Sequence, residues 1–310
     1  MKALILSGGS SKGSFQIGVL RHLLNTENID YDIYGGTSVG SLNAAVLASG
    51  PLTETLPKAE KIWLHDIKGN HSVWVHHLWN YILLGIGLIV FFTICAFISF
   101  VIDGNKLLTL SFIFFASCSL YVPYYSLRNT KSLYKTYPLR SILYKNLDIN
   151  KLQNSGKKLR VCSVSYESGR YYHGKESDVN IVDWIMASSA FPVFFPMVEI
   201  EDEHWVDGGL LSISTLYEIM KLGATHIDII LTNPGSLSSF EKFGLPHQFE
   251  RTLDIISAEN LSNDITICKS NTNVRIFMPK ENFNISSLNF DPEKIKAMYN
   301  SGKNFEVTEI

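Results

Sequence analysis

A serine held between two glycines at position 38, early in a chain of 310 residues, restricts the fold more than any other feature. In Tyr31-Asp-Ile-Tyr-Gly-Gly-Thr-Ser-Val-Gly40 an apolar run gives way to an alanine-rich helical pattern. Gly36 and Gly40 flank Ser38 in the Gly-x-Ser-x-Gly arrangement of a nucleophile elbow, a sharp strand-to-helix corner. Such a corner needs residues without a side chain where the backbones meet, and it leaves the serine oxygen exposed at a helix N-terminus. The competing reading is an ordinary glycine-rich turn, and the strand and helix signals on either side argue against it.

Little chain precedes the elbow. Lys2 to Leu6 reads as a strand, and Gly13 to Leu24 as a helix, with Ile17, Leu20, Leu23 and Leu24 at helical spacing. In the α/β-hydrolase fold the nucleophile follows several strands, and acid and histidine come after it. Here the elbow sits on the second strand, so a different α/β fold with a mainly parallel central sheet is expected. The turn between the first strand and helix is Ser7-Gly-Gly-Ser-Ser-Lys-Gly-Ser14. A phosphate-binding loop places its lysine after the second glycine, whereas Lys12 precedes Gly13, so a nucleotide site is a poor fit. The turn over Gly8, Gly9, Ser10, Ser11, Lys12 and Gly13 instead suits an oxyanion hole, with backbone N–H groups converging on one small space beside the elbow. A glycine turn with no ligand is the alternative.

A serine hydroxyl needs a base to take its proton. None of the nine histidines stands in a recognisable catalytic setting. His76 and His77 read as a polar flank; His204 and His226 border strand-like runs and read as structural. Asp207 differs: it closes the short strand His204-Trp-Val-Asp207, and Gly208 and Gly209 open a turn before a helix over Ser214 to Leu222. An aspartate there is commonly a turn residue or helix cap, but it is also placed to reach the elbow serine.

Four pieces in order, Gly8 to Gly13, Gly36 to Gly40, Ala187-Ser-Ser-Ala-Phe-Pro-Val-Phe-Phe-Pro196 and Asp207-Gly-Gly209, resemble the patatin-like phospholipases. The resemblance covers about residues 1 to 65 and 130 to 235, and the tail, with a strand-like Val274 to Met278 and Phe290 to Lys296, is compatible with it. It implies a three-layer α/β fold and a serine–aspartate pair without histidine. Ser38 would be the nucleophile, Asp207 the base, and the Gly8 to Ser10 backbone with the adjoining turn the oxyanion hole. Two departures stand out. Ser10 occupies the place of the family's third loop glycine, which requires that it donate its N–H without a positive φ. Leu210-Leu-Ser-Ile-Ser214 follows the two glycines where many relatives carry Asn and Pro.

Residues 79–126 do not fit the α/β alternation. Tyr81 to Ile102 carries no charge, Asp103-Gly-Asn-Lys106 reads as a turn, and Leu107 to Tyr125 is again uncharged. Each run approaches the roughly 20 residues that span a bilayer, so a transmembrane helical hairpin inserted into one domain over 1–310 is expected. A buried hairpin or a hydrophobic lid would be the alternatives. Lys58, Lys61, Lys68, Arg128, Lys131, Lys135 and Arg140 flank the hairpin, against Lys106 alone in its turn, which predicts a cytoplasmic catalytic domain. Trp74, Trp79, Tyr81, Tyr121, Tyr124 and Tyr125 suit the headgroup level, and Pro123 should end or kink the second helix.

The reading that unites these features is a membrane-anchored lipid acyl hydrolase acting on phospholipid. A transacylase using the same pair, or a catalytically silent anchored scaffold, are the alternatives. A net charge of −2 gives no basic footprint for nucleic acid. No metal and no cofactor are expected, and nothing in the sequence sets an oligomeric state. Only four apolar residues follow Met1-Lys2, which argues against a secretory leader, and the four cysteines (Cys95, Cys118, Cys162 and Cys268) suggest no disulfide framework. Ser236 to Phe249 reads as a long surface loop bordering the active-site mouth or, equally, as a disordered linker.

Overall fold

A computed structural model describes residues 1–76, 78–104, 106–210, 215–234, 251, 255, 273–283 and 285–305. The chain forms two compact units: Met1–Val73 with Tyr137–Pro192 and Met197–Ile310, and Trp74–Thr136 with Val193–Pro196.

The larger unit is built on a sheet. Strand β1 (Lys2–Leu6) is followed by helix α1 (Gly13–Glu27), and β2 (Ile33–Thr37) by α2 (Val39–Leu47) and α3 (Leu52–Lys61). The first helix runs three residues beyond the expected Leu24 and ends where Asn28 turns left-handed at φ 49°. β1 lies between β2 and β9 (His226–Ile230), both parallel to it, and β10 (Asn273–Phe277) extends the parallel set beyond β9. The sheet is mainly parallel, as expected. Strand residues alternate between its faces. On one, Ala3, Ile5, Ile33, Ile227 and Ile229 pack with Leu216 and Ile219 of α10 (Leu216–Lys221). On the other, Gly36 meets Gly40 of α2 so closely that a Cβ at Gly36 would lie 2.3 Å from the Gly40 carbonyl oxygen. Helices therefore cover both faces, a three-layer arrangement.

Strand β5 (Lys158–Ser165) organises the far side of the sheet. It pairs in parallel with β2 from Ile33↔Lys158 to Thr37↔Cys162, and antiparallel with β8 (Glu203–Asp207) from Ser163↔Asp207 to Ser165↔Trp205. β6 (Tyr171–Lys175) pairs along Arg160 to Val164, overlapping both registers, and so takes the other edge. β2 and β8 thus share one edge of β5 and run toward each other. β7 (Val198–Ile200) completes the order outside β8.

The smaller unit contains α4 (Leu78–Ile98), α5 (Lys106–Ser119), α6 (Tyr121–Asn129), and β3 (Val75–His76) paired with β4 (Tyr134–Lys135). Tyr81–Ile102 and Lys106–Ser126 are each long and apolar enough to cross a membrane. Side chains along both stay exposed, among them Phe97 at 67% and Leu107 at 80%. The second apolar run is interrupted at Leu120, where the N–H bonds back three residues to Ser117. Pro123 has no N–H to offer the Ser119 carbonyl, so the regular ladder stops ahead of it. Trp74 is 7% exposed and packs on Tyr134 with ring centroids 4.2 Å apart, so it is a packing residue of this unit. Tyr81, Tyr121, Tyr124 and Tyr125 are exposed. His77 and the Ser236 to Phe249 loop fall outside the described residues.

Candidate active site

The register on β5 brings the two anticipated side chains together. Thr37 lies opposite Cys162 and Asp207 opposite the next residue, Ser163, so Ser38 and Asp207 follow from two strands meeting head to head on one edge. Gly208 allows this: a Cβ there would fall 2.4 Å from the Cys162 carbonyl oxygen.

Ser38 sits at φ 55°, ψ −128°, between the last residue of β2 and the first of α2. A side-chain-bearing residue pays on the order of 1–3 kcal/mol to sit in such a region, and surrounding bonds must hold it. Ser188 and Ser189, at the end of the helix Ile181–Ser188, supply them. The Ser38 N–H donates to Ser188 Oγ at 3.0 Å, and Ser189 Oγ donates to the Ser38 carbonyl at 3.2 Å. Ser41 Oγ donates to the same carbonyl. The neighbouring Ala190 carbonyl accepts the Asp207 N–H at 3.1 Å, so one short segment grips both partners by their backbones. The sequence pointed to this segment but to no role for Ser188 or Ser189.

Asp207 is 2% exposed. Burial pushes its carboxyl up to about 7, while the Gly209 N–H at 2.8 Å and the Ser38 hydroxyl favour the charged form and keep it from rising further. A carboxylate pushed up toward neutrality beside a serine hydroxyl can accept that hydroxyl's proton. Two of the histidines are set for other surroundings: His204 Nδ1 lies 2.7 Å from Glu167 Oε1, and burial lowers His173.

The glycine turn stands directly over the serine. A Cβ at Gly8 would lie 3.2 Å from Ser38 Cβ and 3.9 Å from its Oγ. Of the six residues expected to form an oxyanion hole, three have their N–H groups engaged within the fold. The Ser11 N–H donates to Ser287, Lys12 to Gly9, and Gly13 to Ser10, because Ser10–Lys12 winds into a short 3-10 turn. The N–H groups of Gly8, Gly9 and Ser10 have no acceptor among the described residues. Ser10 also departs from expectation, taking φ 51° despite its side chain. Behind the turn, Gln16 donates to the Ser7 carbonyl at 2.8 Å, Asn43 to Gln16 at 2.9 Å, and Trp63 to Asn43 at 2.9 Å. This buried chain ties the turn to α1, α2 and the segment after α3. Among the described residues no group of His, Cys, Asp and Glu is arranged to hold a metal ion.

Comparison with known proteins bears on the whole arrangement. The family model described as patatin-like phospholipase matches residues 4–216. A patatin-like phospholipase domain-containing protein of Caenorhabditis elegans is 38% identical over 71 residues, 23% of this chain and 5% of that protein. A crystal structure of VipD from Legionella pneumophila aligns with a TM-score of 0.43 at 16% identity, covering 98% of this chain and 65% of that one. The chain thus spans only part of either relative. The matched stretch takes in the glycine turn, the elbow, the 187–196 segment and the Asp207 strand in order, and the chain belongs to the patatin-like phospholipase family.

Proposed function

We propose that this protein is a membrane-anchored lipid acyl hydrolase in which Ser38 and Asp207 act as a dyad on phospholipid acyl esters. The observation that carries the reading is the buried Asp207 carboxyl, raised to about 7 and set beside the serine of a strained elbow. A base with that proton affinity suits catalysis at neutral pH far better than an ordinary aspartate.

Asp207 takes the Ser38 proton as Oγ attacks the ester carbonyl, and the carbonyl oxygen gathers negative charge toward the N–H groups of Gly8, Gly9 and Ser10. Collapse breaks the ester C–O bond. The lysolipid oxygen leaves with the proton held by Asp207, and Ser38 carries the acyl group. Water then gives a proton to Asp207 and attacks the acyl-serine. Fatty acid departs as Ser38 recovers its proton. The expected consequence is that Ser38→Ala and Asp207→Asn each abolish fatty-acid release from phospholipid vesicles while remaining folded. Labelling by a fluorophosphonate probe should disappear in Ser38→Ala. Full activity in either variant would remove the dyad.

The anchoring part of the proposal rests on the two apolar helices and on the basic residues gathered at their flanks. Both ends of a hairpin lie on one side of a bilayer, and the lysine and arginine asymmetry favours the cytoplasmic side for the larger unit. Such an enzyme meets phospholipid at high effective concentration. Carbonate washing should leave the protein in the membrane fraction; release by washing would refute a spanning hairpin.

A further inference from the structure

We propose that Thr232, assisted by Ser7, fixes the direction of the Gly8–Gly9 peptide so that the Gly9 N–H faces the reacting carbonyl oxygen; the proposal rests on the acyl-transfer reading above. Thr232 is 2% exposed and lies just beyond β9. Its hydroxyl donates to the Gly8 carbonyl oxygen, and Ser7 Oγ donates to the same oxygen at 3.1 Å. Ser7 Oγ in turn accepts the Thr232 N–H at 3.1 Å, so the two hydroxyls form one closed device. Both lone pairs of the Gly8 carbonyl are then engaged on the β9 side.

In a trans peptide the C=O and the following N–H point in opposite directions. Pinning the Gly8 carbonyl toward Thr232 therefore aims the Gly9 N–H the other way. The glycines are wedged accordingly. Gly8 presses on Ser38, while a Cβ at Gly9 would fall 2.1 Å from Thr232 Oγ1. Gly9 holds φ 145°, which only glycine adopts readily. Were this peptide to flip, a carbonyl oxygen would face the developing oxyanion and repel it. Thr232 is a positioning residue: it acts through the peptide and need not touch substrate.

The test uses the full chain in detergent with a short-chain nitrophenyl ester, comparing wild type, Thr232→Val, Thr232→Ser, Ser7→Ala and Ser38→Ala. Valine keeps the shape of threonine and removes the donor. Losing one oxyanion donor outright costs about 100- to 1,000-fold in kcat, so weakening its aim should cost about 10- to 100-fold, with KM little changed. A trifluoromethyl ketone, which mimics the tetrahedral adduct, should lose affinity by a similar factor. Thr232→Ser should recover most of both, and Ser7→Ala should move both in the same direction by less. Where Thr232→Val fails to fold, Ser7→Ala and Thr232→Ser decide. Wild-type kcat and analogue affinity in the folded variants, with Ser38→Ala inactive, would overturn this proposal alone. Turnover that does not depend on Ser38 would overturn the reading beneath it.

Discussion

Hydroxyl side chains serve different ends around the elbow and in the apolar helices. Around the elbow several reach across the fold: Ser188 and Ser189 hold Ser38, and Thr232 holds Gly8. In the apolar helices most turn back on their own backbone, Thr109 being an exception that donates to Ser99 Oγ at 3.3 Å. Thr93 donates to Ile89, Ser117 to Ile113 and Ser119 to Phe115, each four residues earlier, and Ser111 to Leu108. The first habit assembles a site from distant segments. The second satisfies polar groups within one helix, which is what a hydrocarbon surrounding demands. Apolar exposure follows the same divide: β1 buries Leu4, Ile5 and Leu6 completely, while Leu83, Phe91 and Phe97 on α4 are exposed.

The largest effect that would sharpen this contrast concerns Asp207. Its folded-state value, near 7, lies above the ordinary 3.8, so between those values the folded chain keeps a proton that the unfolded chain releases. Stability then falls as pH climbs from about 4 to 7 and is level on either side. The full shift corresponds to about 4 kcal/mol. Asp207→Asn removes this slope while keeping an acceptor for the Gly209 N–H, so it should lose activity yet melt later than wild type at pH 8, with the gain fading toward pH 4. The same titration predicts that wild-type kcat/KM rises through pH 7 to a plateau, since the base must be unprotonated. A flat thermal comparison across that window would mean that burial does not strain this carboxylate.

A smaller effect separates the units by their surroundings. Val90, near the middle of Tyr81–Ile102, is 52% exposed. On the surface of a soluble protein Val90→Arg would be nearly neutral. Facing lipid, an arginine at that depth costs roughly 2.5–3.5 kcal/mol of insertion. Extraction by carbonate should therefore increase in Val90→Arg, while an unchanged membrane fraction would argue against lipid contact at this face.

The sequence made parts of each unit legible for different reasons. Gly36 and Gly40 stood out because close backbone approach admits few residue types, and their steric fit bears this out; Asp207 stood out as a strand end before two glycines. The charge-free runs were visible from composition alone. The head-to-head meeting of β2 and β8 was not, since pairing along β5 is a tertiary choice that no local pattern encodes. Nor was the positive φ of Ser10, because serine has no marked preference for that region. Which N–H groups of the glycine turn stay without an acceptor among the described residues depends on where their neighbours find one, Ser287 among them, far away in the chain.

The smallest effects test the hydroxyl contrast directly. Ser188→Ala removes the acceptor of the Ser38 N–H at 3.0 Å, within a fully buried side chain's reach. A buried donor left unpaired costs about 1–3 kcal/mol, and here the cost falls on a residue whose φ of 55° already needs support. Relaxation of Ser38 would relieve the strain and misdirect its Oγ, so turnover should fall along with the melting temperature. Ser117→Ala removes a bond that the helix does not need, because the Ile113 carbonyl keeps its place in the backbone ladder. That change should lie within about 0.5 kcal/mol and leave turnover intact. Equal costs at the two positions would mean that the elbow holds its geometry without the serine clamp, and the strain at Ser38 would then have to be carried by Gly36, Gly40 and the sheet register alone.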